Sequence, residues 1–184
     1  VISEGEVLQL VVTNDLSTDE EKYMQVVSSK TATLFSAAMQ LGAVLNKRPE
    51  EEVARVARYG LLLGQAYQVV DDALDYSATQ ETLGKTIGDD FQEGKITLPV
   101  IHAYAASSEE ERAFWRLCLE DTNHPEGGLQ RAIQIIRDRG SLNYAMKRAR
   151  ELVEQAKAEL MTFPPSTERD TMLKLADFAV DRNY

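Results

Sequence analysis

The chain has 184 residues, which is enough for one domain with its own core. Its formal net charge is −10, which argues against nucleic acid and anionic membrane surfaces as partners, because both attract basic patches. No stretch approaches the roughly 20 apolar residues of a membrane span, and we recognise no secretory signal. The single cysteine, Cys118, can form no internal disulfide, which predicts a reducing, cytoplasmic location.

Apolar residues recur at helical spacing along most of the chain, and no segment alternates as a strand does. Residues 1–12 are periodic from the start, so we expect them to lie inside a helix. Ser17 or Thr18 is the predicted cap of the next helix, and Pro49 opens the one after it. The predicted helical stretches are 16–46, 48–76, 107–121, 125–140, 141–163 and 166–183. Short connections favour antiparallel neighbours, so the predicted fold class is an all-α, antiparallel helix bundle.

Three aspartates interrupt the apolar helix "GQAYQVVDDALDY" at 64–76. Positions three and four apart share a helix face, so Gln68, Asp71 or Asp72, and Asp75 form one polar stripe. Like charges at this spacing repel each other, which indicates a bound cation. Mg²⁺ suits the stripe, because it binds one or two carboxylates together with phosphates and waters. The alternative is a solvated acidic face.

Two further features lie beside the aspartates. Gly60 and Gly64 would let another helix approach this one closely. The stretch 83–97, "LGKTIGDDFQEGKIT", is long, polar and rich in glycine, and such connections are often functional. Its lysines next to a carboxylate cluster suit a diphosphate, with metal on one side and ammonium donors on the other. The stretch matches neither a P-loop nor an EF-hand.

Four segments, taken together, resemble the trans-isoprenyl diphosphate synthases. "GQAYQVVDDALDY" is similar to their second aspartate-rich motif, of the form GxxxQxxDDxxD. "GKTIGDDFQEGKITLP" is similar to the GKxxGxDxxxGKxTLP segment of long-chain members, such as octaprenyl and decaprenyl diphosphate synthases. "EGEVLQL" at 4–10 and "SSKTATLF" at 28–35 match two more family segments in the right order. The resemblance covers most of residues 1–101, and 102–184 adds only helical periodicity.

The resemblance implies the isoprenoid synthase fold, a bundle of antiparallel helices around a deep central cavity. Members condense isopentenyl diphosphate with an allylic diphosphate that Mg²⁺ ions hold in place. The diphosphate leaves, the isopentenyl double bond attacks the allylic cation, and a proton is lost. The implied product is a long-chain all-trans polyprenyl diphosphate for a quinone side chain such as that of ubiquinone. The implied assembly is a homodimer.

Carried over position by position, the resemblance assigns the metal and diphosphate contacts. Asp71 and Asp75 would bind Mg²⁺, and Asp72 would reach the ion through water or support the ligands from behind. Lys30 and Lys85 would hold the allylic diphosphate.

The resemblance also assigns residues to the loop and to the cation. Lys95 and Asp89 would support the diphosphate loop. Thr31 and Gln68, with the carbonyl of Lys30, would present oxygen dipoles to the developing cation. The wall of the cavity would be lined by Glu6 and Gln9.

The sequence departs from the family pattern in residues 1–63, which contain no DDxxD motif and no matching basic cluster for isopentenyl diphosphate. We therefore expect residues 1–184 to be the C-terminal part of a single polyprenyl synthase domain, without its N-terminal helices. A separate N-terminal fragment is then a possible partner. We expect this chain alone to be inactive, and we expect an exposed apolar face that favours association.

Three other functions compete with the prenyltransferase. One is a non-catalytic helical partner subunit of a heteromeric polyprenyl synthase. Another is a class I terpene cyclase, whose second motif has Asn and Ser or Thr among its ligands, unlike Asp72 and Asp75. The last is a plain helical scaffold with an acidic face.

Overall fold

The regular structure in the computed structural model, which describes residues 1–77 and 87–181, is entirely helical, and the predicted all-α class is confirmed. The helices are α1 (Ile2–Val12), α2 (Glu20–Val27), α3 (Thr33–Leu45), α4 (Glu50–Leu74), α5 (Asp89–Gln92), α6 (Leu98–Ala105), α7 (Glu109–Trp115), α8 (Gly128–Asp138), α9 (Ser141–Leu160) and α10 (Thr167–Val180). Within these described ranges, no helix is both long enough and apolar enough to cross a membrane.

Helix α4 is the central element of the bundle. It spans 25 residues, and the three glutamates after Pro49 lie in its first turn, where they complement the helix dipole. It packs mainly against α3 on one side and α9 on the other. Both α4 and α9 contribute buried residues to one hydrophobic cluster, and several of those on α9 are alanines. The residues are Leu62, Leu63, Ala66, Val69 and Val70 on α4, and Ala145, Ala149, Leu152, Val153 and Ala156 on α9.

A π-helical turn joins α2 to α3. The turn spans Ser28–Ala32, so the predicted single helix over 16–46 is continuous but locally widened. Its start also differs from the prediction, because Asp19, not Ser17 or Thr18, caps α2. The Asp19 carboxylate accepts a hydrogen bond of 2.9 Å from the backbone N–H of Lys22. Isolated π turns of this kind are frequent at functional sites.

Three glycines allow close contacts between helices at and next to the π turn. The sequence predicted such contacts for Gly60 and Gly64, and Gly5 is the third. A Cβ on Gly64 would lie 2.7 Å from Cα of Ala32, and one on Gly60 would lie 2.6 Å from the carbonyl oxygen of Phe35. On the other side, a Cβ on Gly5 of α1 would lie 2.6 Å from the backbone nitrogen of Lys30. Backbone therefore contacts backbone here, and the π turn is held between α1 and α4.

The described part of the predicted polar loop is anchored by a buried aromatic residue. Phe91 on α5 is 1% exposed, and its ring meets Trp115 of α7 edge-on at 6.2 Å between centroids. Gly94 follows in the left-handed region, with φ of 69°. Its carbonyl accepts a hydrogen bond of 2.8 Å from the backbone N–H of Asn14, after α1. This contact ties 87–97 to the α1–α2 connection.

Two helices each carry four exposed large apolar side chains. Those on α1 are Ile2, Val7, Leu10 and Val11, and those on α3 are Leu34, Leu41, Val44 and Leu45. Isolated exposed apolar residues are ordinary, but runs along one helix mark surfaces that pack against something. The described residues thus present the apolar surface that the sequence predicted.

Candidate active site

A cavity of about 190 Å³ lies where α1, α2, the π turn, α4 and the segment 90–97 converge. The apolar part of its wall consists of Val12, Val26, Val27 and Ile96. The polar part consists of Gln9, Thr13, Tyr23, Lys30, Thr31, Gln68, Asp71, Asp72, Asp90, Lys95 and Thr97. Cationic, carboxylate and neutral polar groups therefore share one cavity whose wall is partly apolar.

Most of the predicted site residues line this cavity. They are Lys30, Thr31, Gln68, Asp71, Asp72 and Lys95. Asp75 lies one turn beyond Asp71, half-buried and behind the wall, and Asp89 is exposed and outside it. Lys85 lies outside the described residues. Of the two predicted wall residues, Gln9 lines the cavity and Glu6 pairs with Lys30 next to it.

Asp72 is buried, and both of its carboxylate oxygens accept hydrogen bonds. Tyr23 of α2 donates its hydroxyl to Oδ2 at 2.6 Å, and Gln68 donates Nε2 to Oδ1 at 2.8 Å. The Oε1 of Gln68 in turn accepts a hydrogen bond of 2.9 Å from the hydroxyl of Thr31. The four side chains form one hydrogen-bonded chain from α2 through α4 to the π turn.

The other two aspartates of the motif have different surroundings. Asp71 is exposed and faces the cavity. Asp75 accepts a hydrogen bond of 3.1 Å from the backbone N–H of Asp90 at Oδ2, so its carboxylate caps the start of α5. Its own carbonyl accepts another of 3.1 Å from the N–H of Gly88. The motif therefore orders the first turn of the following segment as well as facing the cavity.

The carboxylates of the site fit a magnesium ion that is shared with a ligand. Across the ranges that the structure describes, no three His, Cys, Asp or Glu side chains converge as a complete ion cage. Mg²⁺ in phosphate-transferring sites uses one or two carboxylates, several waters and substrate phosphates, and it needs no such cage. Asp71 and Asp90 on the wall, with Asp75 behind them, supply oxygens of that type.

Two lysines line the cavity, one from the π turn and one from the segment 90–97. Lys30 Nζ lies 2.6 Å from Gln9 Oε1 and 3.2 Å from Glu6 Oε2. Lys95 Nζ lies 2.9 Å from Asp90 Oδ1 and 2.8 Å from Glu93 Oε2.

The ammonium group of Lys95 stays charged. Partial burial lowers its pKa, but the hydrogen bonds and charges of Glu93 and Asp90 outweigh the burial and raise the pKa above its ordinary value. A phosphate group could replace carboxylate partners at both lysines with stronger charge-assisted hydrogen bonds.

The crowded carboxylates resist ionisation. Burial and the charge of Asp90 raise the pKa of Asp72 to about 7. The same two causes raise the pKa of the half-buried Asp75 to about 6. A bound cation would offset this repulsion, since an opposite charge nearby favours the ionised form.

The raised pKa of Asp72 predicts a pH dependence of stability in the metal-free protein. Because the folded pKa is above the unfolded value of 3.8, this contribution is full below pH 3.8 and is lost as pH rises through about 7. Between about pH 4 and about pH 8, we expect wild type to lose about 2–4 kcal/mol more unfolding free energy than Asp72→Asn. Urea denaturation of the natural full-length protein in chelator measures this difference.

A matched variant checks that the slope belongs to Asp72. Asp121→Asn removes an exposed carboxylate outside the cavity wall, and it should keep the wild-type pH slope. Identical slopes for wild type and Asp72→Asn would contradict the burial argument.

Among the wall residues to which the sequence analysis assigned no role, two contact predicted site residues. One is Asp90, although the aspartate of the form GKxxGxDxxxGKxTLP falls on position 90 and not on 89, so the signal was present. The other is Tyr23, which helical spacing marks only as an ordinary core aromatic. Its hydrogen bond to Asp72 joins residues 49 positions apart, and local sequence patterns do not predict contacts over such a separation.

Comparisons with known proteins agree with the geometry. The polyprenyl synthetase family model matches residues 1–136. The octaprenyl diphosphate synthase of Haemophilus influenzae is 41% identical over 184 residues, which are 100% of this chain and 56% of that protein. The octaprenyl diphosphate synthase of Escherichia coli is 42% identical over 183 residues, again 100% of this chain and 56% of that protein.

Solved structures share the fold as well. A decaprenyl diphosphate synthase from Rhodobacter capsulatus superposes with a TM-score of 0.92 at 40% identity, covering 98% of this chain and 55% of that one. A polyprenyl synthase from Caulobacter crescentus, complexed with calcium and isoprenyl diphosphate, superposes with a TM-score of 0.94 at 42% identity and the same coverage. The chain spans about half the length of these relatives. It belongs to the polyprenyl synthetase family, with the isoprenoid synthase fold.

Proposed function

We propose that the natural full-length protein is a Mg²⁺-dependent prenyltransferase. It condenses isopentenyl diphosphate with an allylic diphosphate to make a long-chain all-trans polyprenyl diphosphate, in the cytoplasm, for a quinone side chain. The observation that carries the proposal is that Lys30, Lys95 and Asp71 line one cavity together with apolar side chains. Octaprenyl and decaprenyl diphosphate synthases among the relatives support the long-chain product.

In this proposal, the two lysines bind the allylic diphosphate. Each ammonium group exchanges a carboxylate or amide partner for phosphate oxygens, which carry more negative charge. Mg²⁺, when bound, neutralises charge on the departing diphosphate, and Asp71 would hold it, with Asp75 and Asp90 close by. The Caulobacter structure, with its calcium and isoprenyl diphosphate, supports a divalent ion next to such a ligand.

Thr31 and Gln68 act on the hydrocarbon end of the substrate. Ionising an allylic C–O bond leaves a cation, which oxygen dipoles stabilise if they are already in place. Thr31 lines the cavity, and its hydroxyl group is oriented by its hydrogen bond to Gln68. Valines on α1 and α2 keep water away from the cation, which would otherwise be quenched.

We further propose that the working enzyme is a homodimer and that these residues alone do not turn over. The homodimer is what the resemblance to the family implies, and the exposed apolar side chains of α1 and α3 are available to the rest of the natural protein or to a second copy. Light scattering of the natural full-length protein should give a dimer mass, and a monomer mass would count against this assembly.

Radiolabelled isopentenyl diphosphate tests the transferase directly. We expect the natural full-length protein to incorporate label into apolar polyprenyl products from geranyl, farnesyl or geranylgeranyl diphosphate. Chelation should abolish the incorporation and added Mg²⁺ should restore it. Activity that arises only after mixing with a second, different polypeptide would favour the heteromeric arrangement. Failure with all three allylic substrates would contradict the proposal.

A further inference from the structure

We propose that Tyr23 is a positioning residue for the transferase reaction, acting through Asp72 and Gln68 to set the direction of the Thr31 hydroxyl. The inference rests on the proposed function and adds a residue to it. Tyr23 does not belong to any of the four sequence segments that carry the resemblance. It enters the site from α2, whereas Asp72 and Gln68 belong to α4.

Hydrogen-bond directions in the chain follow from the carboxylate. A cation bound at Asp71 favours the ionised form of Asp72, and an ionised carboxylate only accepts hydrogen bonds, so both neighbours of Asp72 must donate. Tyr23 occupies Oδ2 at 2.6 Å, which leaves Oδ1 for Gln68 at 2.8 Å. The amide of Gln68 must therefore turn its nitrogen towards Asp72 and its oxygen away.

The orientation of Gln68 then decides the orientation of Thr31. Gln68 Oε1 accepts the only hydroxyl hydrogen of Thr31, at 2.9 Å. The lone pairs of the Thr31 oxygen remain for the cavity, which both residues line. A cationic carbon placed there meets an electron-rich oxygen and not an O–H group.

Tyr23 keeps this arrangement fixed by holding Asp72 in place. Tyr23 and Asp72 are 4% and 6% exposed, so water cannot substitute readily for the tyrosine hydroxyl. Without that bond, one carboxylate oxygen lacks a donor, and the side chain can turn towards the lysines or a bound cation. Gln68 would then lose the partner that fixes its amide.

A second buried tyrosine provides a matched control. Tyr59, on the same helix as Gln68, is 1% exposed and donates its hydroxyl to the carbonyl of Met172 at 2.8 Å. This bond has a similar length and belongs to a similarly unexposed tyrosine, but it is less buried and does not involve the cavity wall. Tyr59→Phe and Tyr23→Phe thus remove comparable hydrogen bonds, and only the second interrupts the chain.

Steady-state kinetics of the natural full-length protein separates the two roles. We expect Tyr23→Phe to lower kcat about tenfold, with each substrate KM changed less than about twofold, because the loss falls on the cationic transition state. Tyr59→Phe should keep kcat within about twofold of the wild-type value, although its loss of thermal stability should be similar to that of Tyr23→Phe. In a Thr31→Val background, Tyr23→Phe should have no further effect on kcat.

Ligand binding gives a readout that does not depend on turnover. With Mg²⁺ and inorganic pyrophosphate present, calorimetry compares an ammonium analogue of the allylic cation with its neutral carbon isostere. Wild type should prefer the ammonium analogue, and Tyr23→Phe should reduce that preference about fivefold, whereas Tyr59→Phe keeps it. If Tyr23→Phe does not fold, Tyr23→Met removes the same hydrogen-bond donor with a flexible apolar side chain, and it must reduce the preference equally.

The outcomes distinguish this inference from the function on which it rests. An active wild type, with Tyr23→Phe and Tyr59→Phe equal in kcat and in analogue preference, overturns the positioning role alone. A wild type that transfers no prenyl group overturns both. A tenfold loss in kcat that persists in the Thr31→Val background would also contradict the inference, since Tyr23 would then act by another route.

Discussion

Asp71→Asn lowers the kcat of the natural full-length protein by about a hundredfold to a thousandfold, with little change in stability. Asp71 is the carboxylate of the motif that is exposed to the cavity, and it is the expected ligand of the metal ion. Its negative charge also repels Asp72, because it contributes to the raised pKa of that group. Removing the charge should therefore not destabilise the metal-free fold.

Two measurements check this expectation. Steady-state kinetics at saturating Mg²⁺ gives the loss in kcat, and thermal unfolding in chelator gives the stability. Asp121→Asn, which removes an exposed carboxylate away from the cavity, should change neither quantity. If Asp71→Asn retains most of its activity, the assigned metal role is wrong.

Gly64→Ala and Gly42→Ala should change stability in opposite directions. A methyl group on Gly64 would lie 2.7 Å from Cα of Ala32, and neither backbone can move without separating α4 from the π turn. We expect a loss of about 3 kcal/mol in unfolding free energy. Gly42, on α3, has nothing within 4 Å of the same position. There, alanine should stabilise the helix by about 0.5–1 kcal/mol.

The two glycine variants should also differ in catalytic activity. The π turn carries Lys30 and Thr31, so displacing it moves the diphosphate and cation contacts together. Gly64→Ala should lower kcat at temperatures where the variant is still folded, whereas Gly42→Ala should keep the wild-type rate. Urea denaturation and kinetics on the two variants measure both effects. A stable, fully active Gly64→Ala would show that the close helix contact is not needed.

Local sequence patterns predicted the parts of the site that depend on one helix. The 3.6-residue periodicity located α4, and the spacing within it predicted a polar stripe of Gln68, Asp71 or Asp72, and Asp75. Of these residues, Gln68, Asp71 and Asp72 line the cavity. The glycines of α4 indicated a close neighbour, and the structure has one. Each of these features is decided within a few turns of a single helix.

The remaining features depend on contacts between distant segments. The π turn packs its backbone against glycines of both α1 and α4, and helical periodicity does not reveal these contacts. The sequence predicts a polar loop around Phe91. In the structure, Phe91 belongs to the short helix α5 and is buried against Trp115 of α7. The hydrogen bond by which the carboxylate of Asp75, the second predicted metal ligand, caps α5 also joins separate segments.

A crystal structure of the natural full-length protein with Mn²⁺ and a non-hydrolysable allylic diphosphate analogue tests the central claim most directly. Anomalous scattering locates the metal independently of the protein atoms. The account predicts a manganese peak next to the Asp71 carboxylate, with phosphate oxygens contacting Lys30 and Lys95. An ion and a diphosphate bound together outside the cavity between α1, α2 and α4 would contradict it.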